Sequence, residues 1–267
     1  MTLRFAKAHA YGNDFLYVRR EDVAGAPLDM LARQLCERHT GIGADGLIVY
    51  GPTAAGASMR LFNADGGRAE VSGNGVRALG ALLLEDGRRD GDIVIETEAG
   101  EKRLTPLGGR AGTRWMFRAA MGLPRDLRQV SMDAAGERVT LAVMDFGNPQ
   151  SVIIGRLPDP ARLERLGAAL ERHPSFAAGT NVEFADVERP DSVRILIWER
   201  GVGPTTSSGT GSCAALVAAA AYGGAARDAQ VIAPGGAQRV EWRDDSVYLT
   251  GWAEVLFRGE WLIPRTL

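Results

Sequence analysis

Two short stretches of this sequence have the composition of a chemical site. Ser72-Gly73-Asn74-Gly75 closes a polar, Gly-rich loop and runs into an apolar series, Val76, Leu79, Leu82, Leu83 and Leu84. Ser208-Gly209-Thr210-Gly211 runs in the same way into an Ala-rich segment that ends at Tyr222. A loop feeding a buried helix leaves the first N–H groups of that helix without internal partners. The helix dipole adds partial positive charge at the same place. Glycines let a ligand approach the backbone, so each stretch suits a carboxylate or a phosphate. Two such helix ends on one carboxylate would stabilise charge spreading into it as a proton leaves the neighbouring carbon. A side chain on each face of that carbon could remove one proton and return another. The matched side chains are Ser72 and Ser208. Cysteine suits that task better, since a thiol titrates near about 8.5, and lower at a helix N-terminus.

The two stretches belong to an internal repeat. Gly12-Asn13 recurs as Gly147-Asn148, and both pairs keep one sequence offset to within a residue,. The elements around them follow a common plan. Apolar alternation predicts strands over 3–8, 15–18, 47–50 and 58–62, with a turn at Gly12-Asn13-Asp14,. Helical spacing marks 29–38 and 75–84, and a hairpin follows over 92–97 and 101–107,. In the second half, strands are expected over 139–143, 151–154, 182–184 and 193–199, with a helix over 160–172. A loop over 201–211 leads into a helix over 212–222. Short strands complete the chain at 230–232, 238–242, 246–249, 252–256 and 261–262. The best boundary between the halves lies at Gly108 to Gly112. The repeat predicts two homologous lobes, each offering one helix N-terminus to a site in the cleft between them.

The totals exclude several classes. The chain has 267 residues, 45% apolar and 24% charged, enough for two domains,. Its net charge of −2 carries no basic stripe, so no nucleic-acid partner is expected,. Arg88-Arg89 reads as solvated loop charge. Cys36 and Cys213 make no disulfide scaffold, and Met1-Thr2-Leu3-Arg4 begins no signal peptide, so a reducing cytoplasm is expected,. The apolar run Ala214 to Tyr222 is too short for a bilayer, and no membrane partner is expected. His9, His39 and His173 are scattered, so no metal site is expected.

At this point the sequence resembles a known family, the diaminopimelate epimerases. The resemblance runs nearly end to end. It rests on His9-Ala10-Tyr11-Gly12-Asn13-Asp14-Phe15, Gly41-Ile42-Gly43-Ala44-Asp45-Gly46-Leu47, Phe62-Asn63-Ala64-Asp65-Gly66, Ser72-Gly73-Asn74-Gly75-Val76-Arg77 and Gly147-Asn148-Pro149. Asn181-Val182, Glu199-Arg200-Gly201-Val202-Gly203 and Ser208-Gly209-Thr210-Gly211-Ser212-Cys213-Ala214-Ala215 complete it in order. The resemblance implies an α/β (α+β) fold of two pseudo-symmetric lobes, each a curved, mainly antiparallel sheet around a central helix. The lobes would be 1–112 with 254–267, and 113–253. It implies a homodimeric isomerase that needs no cofactor and interconverts LL- and meso-diaminopimelate for lysine and peptidoglycan synthesis. The substrate-binding positions implied are Asn13, Asn63, Asn148, Asn181, Glu199 and Arg200. Arg200 suits a carboxylate and Glu199 an ammonium. Gly73, Asn74, Gly209 and Thr210 would hold the reacting carboxylate through backbone N–H groups.

The departures fall on the acid–base set. Ser72 and Ser208 stand where the family has its two catalytic cysteines. Gln150 stands where it has His, and Pro204 where it has Glu. Cys213 lies five positions past Ser208 and reads as a buried small residue. A serine hydroxyl is a poor base unless a neighbour activates it, and the Gln150 amide does not titrate near neutral pH. Because Gln150 and Pro204 change along with the serines, natural divergence explains the set better than engineering of the two nucleophiles. Two other readings stay open beside the epimerase: a catalytically impaired or inactive amino-acid binder, and a different isomerase or racemase on the same scaffold. A dinucleotide enzyme is disfavoured because neither Gly-rich loop directly follows a buried strand. A serine hydrolase is disfavoured because neither serine sits in Gly-x-Ser-x-Gly.

Overall fold

The computed structural model describes residues 2–88, 91–108 and 112–262. Arg89 and most of the expected boundary, 109–111, lie outside them. The chain divides into two compact units, Met1–Arg118 with Trp252–Leu267, and Ala119–Gly251.

The first unit contains β1 (Thr2–Ala10), β2 (Asn13–Arg19), a 3-10 turn (Arg20–Val23), α1 (Leu28–Cys36), β3 (Gly46–Thr53), β4 (Gly56–Asn63), β5 (Arg68–Ala69), α2 (Gly73–Glu85), β6 (Ile93–Thr97) and β7 (Gly100–Pro106). β8 (Arg114–Ala120) carries the chain onward. The second unit contains β9 (Arg125–Ala134), β10 (Glu137–Asp145), β11 (Pro149–Ile154), α3 (Pro160–Glu171), β12 (Asn181–Arg189), β13 (Ser192–Glu199), β14 (Gly203–Thr205), α4 (Gly209–Tyr222), β15 (Asp228–Ala233) and β16 (Gly236–Trp242). The last strand, β17 (Val247–Leu262), pairs with β16 over its first residues and with β1 over its last.

The repeat is written in the strand pairings. In the first unit β1–β2 is antiparallel, β2–β3 parallel, β3–β4 antiparallel, β4–β5 antiparallel, β4–β6 parallel and β6–β7 antiparallel. In the second, β10–β11, β11–β12, β12–β13, β13–β14, β13–β15 and β15–β16 follow the same order of senses. Each parallel pair needs a crossover, and the helices supply it: α1 and α3 for the first pair, α2 and α4 for the second. Outer helices α1 and α3 are amphipathic, with Leu31 and Leu35, and Leu166 and Leu170, turned inward. Inner helices α2 and α4 are buried on all sides over Gly73–Leu82 and Gly209–Ala219, so each is the core of its own unit,. Small residues permit that burial. A Cβ at Gly80 would lie 2.6 Å from Leu104 Cδ1 and 3.3 Å from the Phe117 ring.

Several expected boundaries shift. α2 begins at Gly73 and α4 at Gly209, not at 75 and 212, because Ser72 and Ser208 cap them. The first turn is at Tyr11-Gly12, both with positive φ, and Asn13 and Asp14 already belong to β2. The three final strand fragments form one continuous strand, β17. The two-residue β5, β8, β9 and the short β14 were not foreseen.

Candidate active site

The sequence builds a capped helix end in each unit. Ser72 is extended (φ −128°), and its Oγ accepts from the Gly75 N–H at 3.1 Å. Ser208 is likewise extended (φ −138°), and its Oγ accepts from the Gly211 N–H at 3.0 Å. Serine is among the best residues for this work, because its short oxygen reaches one of the orphan donors of the first turn. The two serines therefore have a structural role that the sequence comparison did not assign them. The glycines follow from close packing: a Cβ at Gly211 would meet Glu183 Oε1 at 2.5 Å, and one at Gly75 would meet Ile48 Cδ1 at 2.8 Å.

In the first unit, Asn74 Nδ2 donates to Asn13 Oδ1 at 3.2 Å, and Asn13 Nδ2 donates to Asp45 Oδ2 at 2.7 Å. Arg77, fully buried one turn into α2, donates to Asn74 Oδ1 and lies over the Tyr11 ring at 5.4 Å. The Tyr17 hydroxyl donates to the Gly75 carbonyl at 2.9 Å and ties α2 to β2. Asn13 and Asn74 are thus brought together at the helix end. Asn63 sits half-buried at the end of β4, opposite Gly46, and its side chain makes no hydrogen bond among the described residues. Behind Asn13, Asp14 accepts from Lys7 at 2.9 Å and from Arg38 at 3.0 Å. Burial pushes the Asp14 carboxyl up, but the Lys7 and Arg38 hydrogen bonds outweigh it and hold it below its usual range. An acid with a lowered folded pKa contributes stability that is full above its unfolded pKa and is lost as pH falls through the folded value. Asp14→Asn is therefore expected to lower the urea midpoint at pH 6 and to flatten its decline below about pH 4. Urea titrations from pH 2.5 to 6 check this, and an unchanged acid limb would count against it.

In the second unit, the Asn148 and Gln150 amides gather on the α4 end. Asn148 Nδ2 lies 3.4 Å from Thr210 Oγ1, and Gln150 Nε2 lies 2.9 Å from Asn148 Oδ1 and 3.1 Å from Thr210 Oγ1. Asn181 has both ends of its amide engaged: it donates to the Pro149 carbonyl and accepts from the Arg200 N–H, each at 3.0 Å. It therefore fixes the turn that carries Arg200. Glu199 and Arg200 are half-buried, and Arg200 Nη1 also donates to the Ala178 carbonyl at 2.9 Å. Beneath Gly211 lies Glu183, which is 0% exposed. Burial, with Glu199 adding to it, pushes the Glu183 carboxyl well above the usual carboxylate range. Sequence reading missed Glu183 and the buried Arg77. Each leaves a sequence trace, an ionisable residue inside an apolar run: Val182-Glu183-Phe184 and Val76-Arg77-Ala78.

The cysteines stand apart. Cys36 and Cys213 are buried and form no disulfide, and burial, with Asp14 and Asp45 nearby, pushes the Cys36 thiol up to about 12. Cys36 is therefore inert near neutral pH. Among the described residues no helix is long and apolar enough to cross a membrane.

Comparison with solved structures defines the class. The chain aligns over 99% of its length with 94% of a probable proline racemase from Agrobacterium radiobacter K84, at a TM-score of 0.76 and 18% identity. It aligns over 97% with 92% of a hydroxyproline epimerase from Agrobacterium vitis, solved with trans-4-hydroxy-L-proline bound, at 0.69 and 17%. The fold is thus the duplicated α+β fold found in these racemases and epimerases.

The family follows from sequence. The diaminopimelate epimerase family model matches residues 5–107 and 142–256. The diaminopimelate epimerase of Desulforudis audaxviator (strain MP104C) is 39% identical over 282 aligned residues, covering 97% of this chain and 99% of its own. That of Desulfovibrio desulfuricans (strain ATCC 27774) is 37% identical, covering 98% and 99%. The chain belongs to the diaminopimelate epimerase family and is an isomerase of the kind that works without pyridoxal phosphate.

Proposed function

We propose that the protein interconverts LL- and meso-diaminopimelate at a single α-carbon, with the capped ends of α2 and α4 as its working parts. The observation that carries this reading is the matched pair of capped helix ends. Each has a serine at the cap and an asparagine from the neighbouring turn or strand: Asn13 beside Asn74, and Asn148 beside Thr210. The backbone N–H groups of Gly73, Asn74, Gly209 and Thr210 would hold the α-carboxylate. Asn63, Glu199 and Arg200 would hold the substrate's other polar groups.

The proton balance is simple and demanding. One serine starts as the alkoxide and removes the α-proton, and the electron pair spreads into the carboxylate. The other serine hydroxyl gives its proton to the opposite face and becomes the alkoxide. The Gly75 and Gly211 N–H groups, with the helix dipoles, favour that charge, but a hydroxyl ionises far less readily than a thiol. Turnover is therefore slow. Purified protein incubated with LL-diaminopimelate is expected to yield the meso form slowly, read by chiral chromatography. No meso product after prolonged incubation, with binding intact, would instead support the amino-acid binder. Gln150, an amide beside Asn148 and Thr210, is the observation that favours that second reading.

The same reading places the enzyme in lysine and peptidoglycan precursor synthesis, in the cytoplasm, as a homodimer. The cytoplasmic assignment rests on the family. Leu256, Phe257 and Leu262, exposed along β17, are apolar surface that a second copy would cover,. Sedimentation of the purified protein tests the dimer.

A further inference from the structure

We propose that Glu171 is a positioning residue for substrate binding, whose carboxylate staples the turn bearing Glu199 and Arg200 from both sides. The proposal rests on the reading, given above, that those two residues hold polar groups of the substrate away from the reacting carbon.

Packing does little to shape this turn. Gly201 and Val202 are exposed, Gly201 has φ 77°, and a Cβ on it would find no atom within 4 Å. Hydrogen bonds must fix it instead. One is internal, from the Val202 N–H to the Glu199 carbonyl at 3.0 Å. Further bonds come from outside the turn. Asn181 Oδ1 accepts from the Arg200 N–H at 3.0 Å. Glu171 Oε1 accepts from the Gly201 N–H at 3.0 Å, and Glu171 Oε2 accepts from Trp198 Nε1–H at 2.7 Å. Trp198 and Gly201 flank the Glu199-Arg200 pair in sequence. One carboxylate therefore grips the chain just before the pair and just after it.

The sequence of α3 is arranged for this contact. Gly167 and Glu171 are four residues apart and share one face of the helix. A Cβ at Gly167 would lie 2.6 Å from Trp198 Cδ2, so the missing side chain seats the indole against α3, with its N–H at Glu171 one turn on. Glu171 is the last residue of α3 and only 9% exposed. The dipole at that end of a helix disfavours a carboxylate, and so does loss of water. The two donors that converge on it explain why one stands there. Glu171 also reaches Arg200 by a second path. Its carbonyl accepts from the Thr180 N–H at 3.2 Å, and the segment just before Thr180 bears on the Arg200 side chain. Arg200 Nη1 donates to the Ala178 carbonyl at 2.9 Å, and a Cβ at Gly179 would lie 3.2 Å from Arg200 Cδ. The end of α3 thus bears on both the backbone and the side chain of Arg200.

The staple needs a carboxylate, because both partners donate. Glutamine has one acceptor oxygen, so Glu171→Gln leaves either Trp198 Nε1–H or the Gly201 N–H facing another donor. The turn is then held from one side only. Glu199 and Arg200 are no longer pre-set, and a ligand must order them as it binds.

Glu171→Gln is the test. Its KM for LL-diaminopimelate, from chiral chromatography of the epimerisation, should rise about tenfold or more while kcat changes less than about threefold. A folding defect alone gives the reverse, since it removes active molecules and lowers kcat at unchanged KM. Trp198→Phe deletes one donor and leaves a single N–H for a single oxygen. In that background Glu171→Gln should raise KM less than about threefold further, a non-additivity that a general loss of packing does not produce. Unchanged KM in a folded Glu171→Gln, or an equal rise in the Trp198→Phe background, overturns the proposal. Should Glu171→Gln not fold, Trp198→Phe alone carries the test, and an unchanged KM there overturns it. If wild-type protein neither binds nor converts LL-diaminopimelate, the substrate reading fails, and the staple is read without ligand by NMR. The Trp198 indole N–H, assigned by its loss in Trp198→Phe, and the Gly201 amide should then both shift in Glu171→Gln; resonances that stay fixed overturn the staple itself.

Discussion

Replacing Ser72 and Ser208 together by cysteine is expected to raise α-proton exchange on diaminopimelate by about 10²-fold or more, within the range that a well-matched acid–base pair contributes. Each Oγ already sits about 3 Å from a backbone N–H of the first helical turn, at 3.1 Å for Ser72 and 3.0 Å for Ser208. A thiolate there gains the same N–H and the same dipole, and it forms near neutral pH where an alkoxide does not. Each single variant should gain far less, because one face would still depend on a serine. The same exchange costs stability. Serine is a good N-cap and cysteine is not, so each replacement should remove ~1 kcal/mol, seen as a lower urea midpoint. Faster exchange with lower stability is the signature of a cap converted to a base. No gain in exchange would place the remaining barrier elsewhere, at Gln150 and Pro204.

Gly211→Ala should be more damaging than Gly75→Ala, although the two glycines hold matched positions. An alanine Cβ at 211 meets Glu183 Oε1 at 2.5 Å, Ser208 Oγ at 3.0 Å and Ser208 Cβ at 3.1 Å. Glu183 is fully buried between β12 and α4 and has nowhere to withdraw. Either the cap or the carboxyl must be displaced, at a cost of about 1–3 kcal/mol for overpacking. The Asn148–Gln150–Thr210 cluster would be displaced with it, and calorimetry should show diaminopimelate binding lost. At 75 the nearest atom is the Ile48 Cδ1 methyl at 2.8 Å, with Ser72 Cβ at 3.3 Å. A terminal methyl can turn aside, and alanine is favoured over glycine in a helix by about 1 kcal/mol. Gly75→Ala should therefore change stability little. Equal effects at the two positions would show that Glu183 is not fixed where the structure puts it.

Much of this was legible in the sequence, for definite reasons. The repeat was visible because both halves need the same Gly-Asn turn and the same Ser-Gly-x-Gly helix entry. The strand pairings then reproduced one plan twice. The outer helices were readable from Leu31 and Leu35, and from Leu166 and Leu170, because one face is apolar and the other is wet. The starts of α2 and α4 were not, because glycine is a weak helix former and conceals a first turn that a capping serine holds in place. β9 was missed because most of its residues are exposed and carry little alternation. Glu183 was missed because a glutamate between two apolar strand residues reads as the wet face of a half-buried strand. Only the second helical layer makes that face a core.

The most direct test of the central claim, that two serines rather than one move the proton, is a short incubation of wild-type protein with LL-diaminopimelate in deuterium oxide. The α-proton of substrate and product is then read by NMR. Two serines acting in turn predict meso product labelled at its reacting carbon, while recovered LL substrate stays unlabelled at early times. Label entering recovered LL substrate as fast as it enters product would mean that one group serves both faces, and would contradict the account.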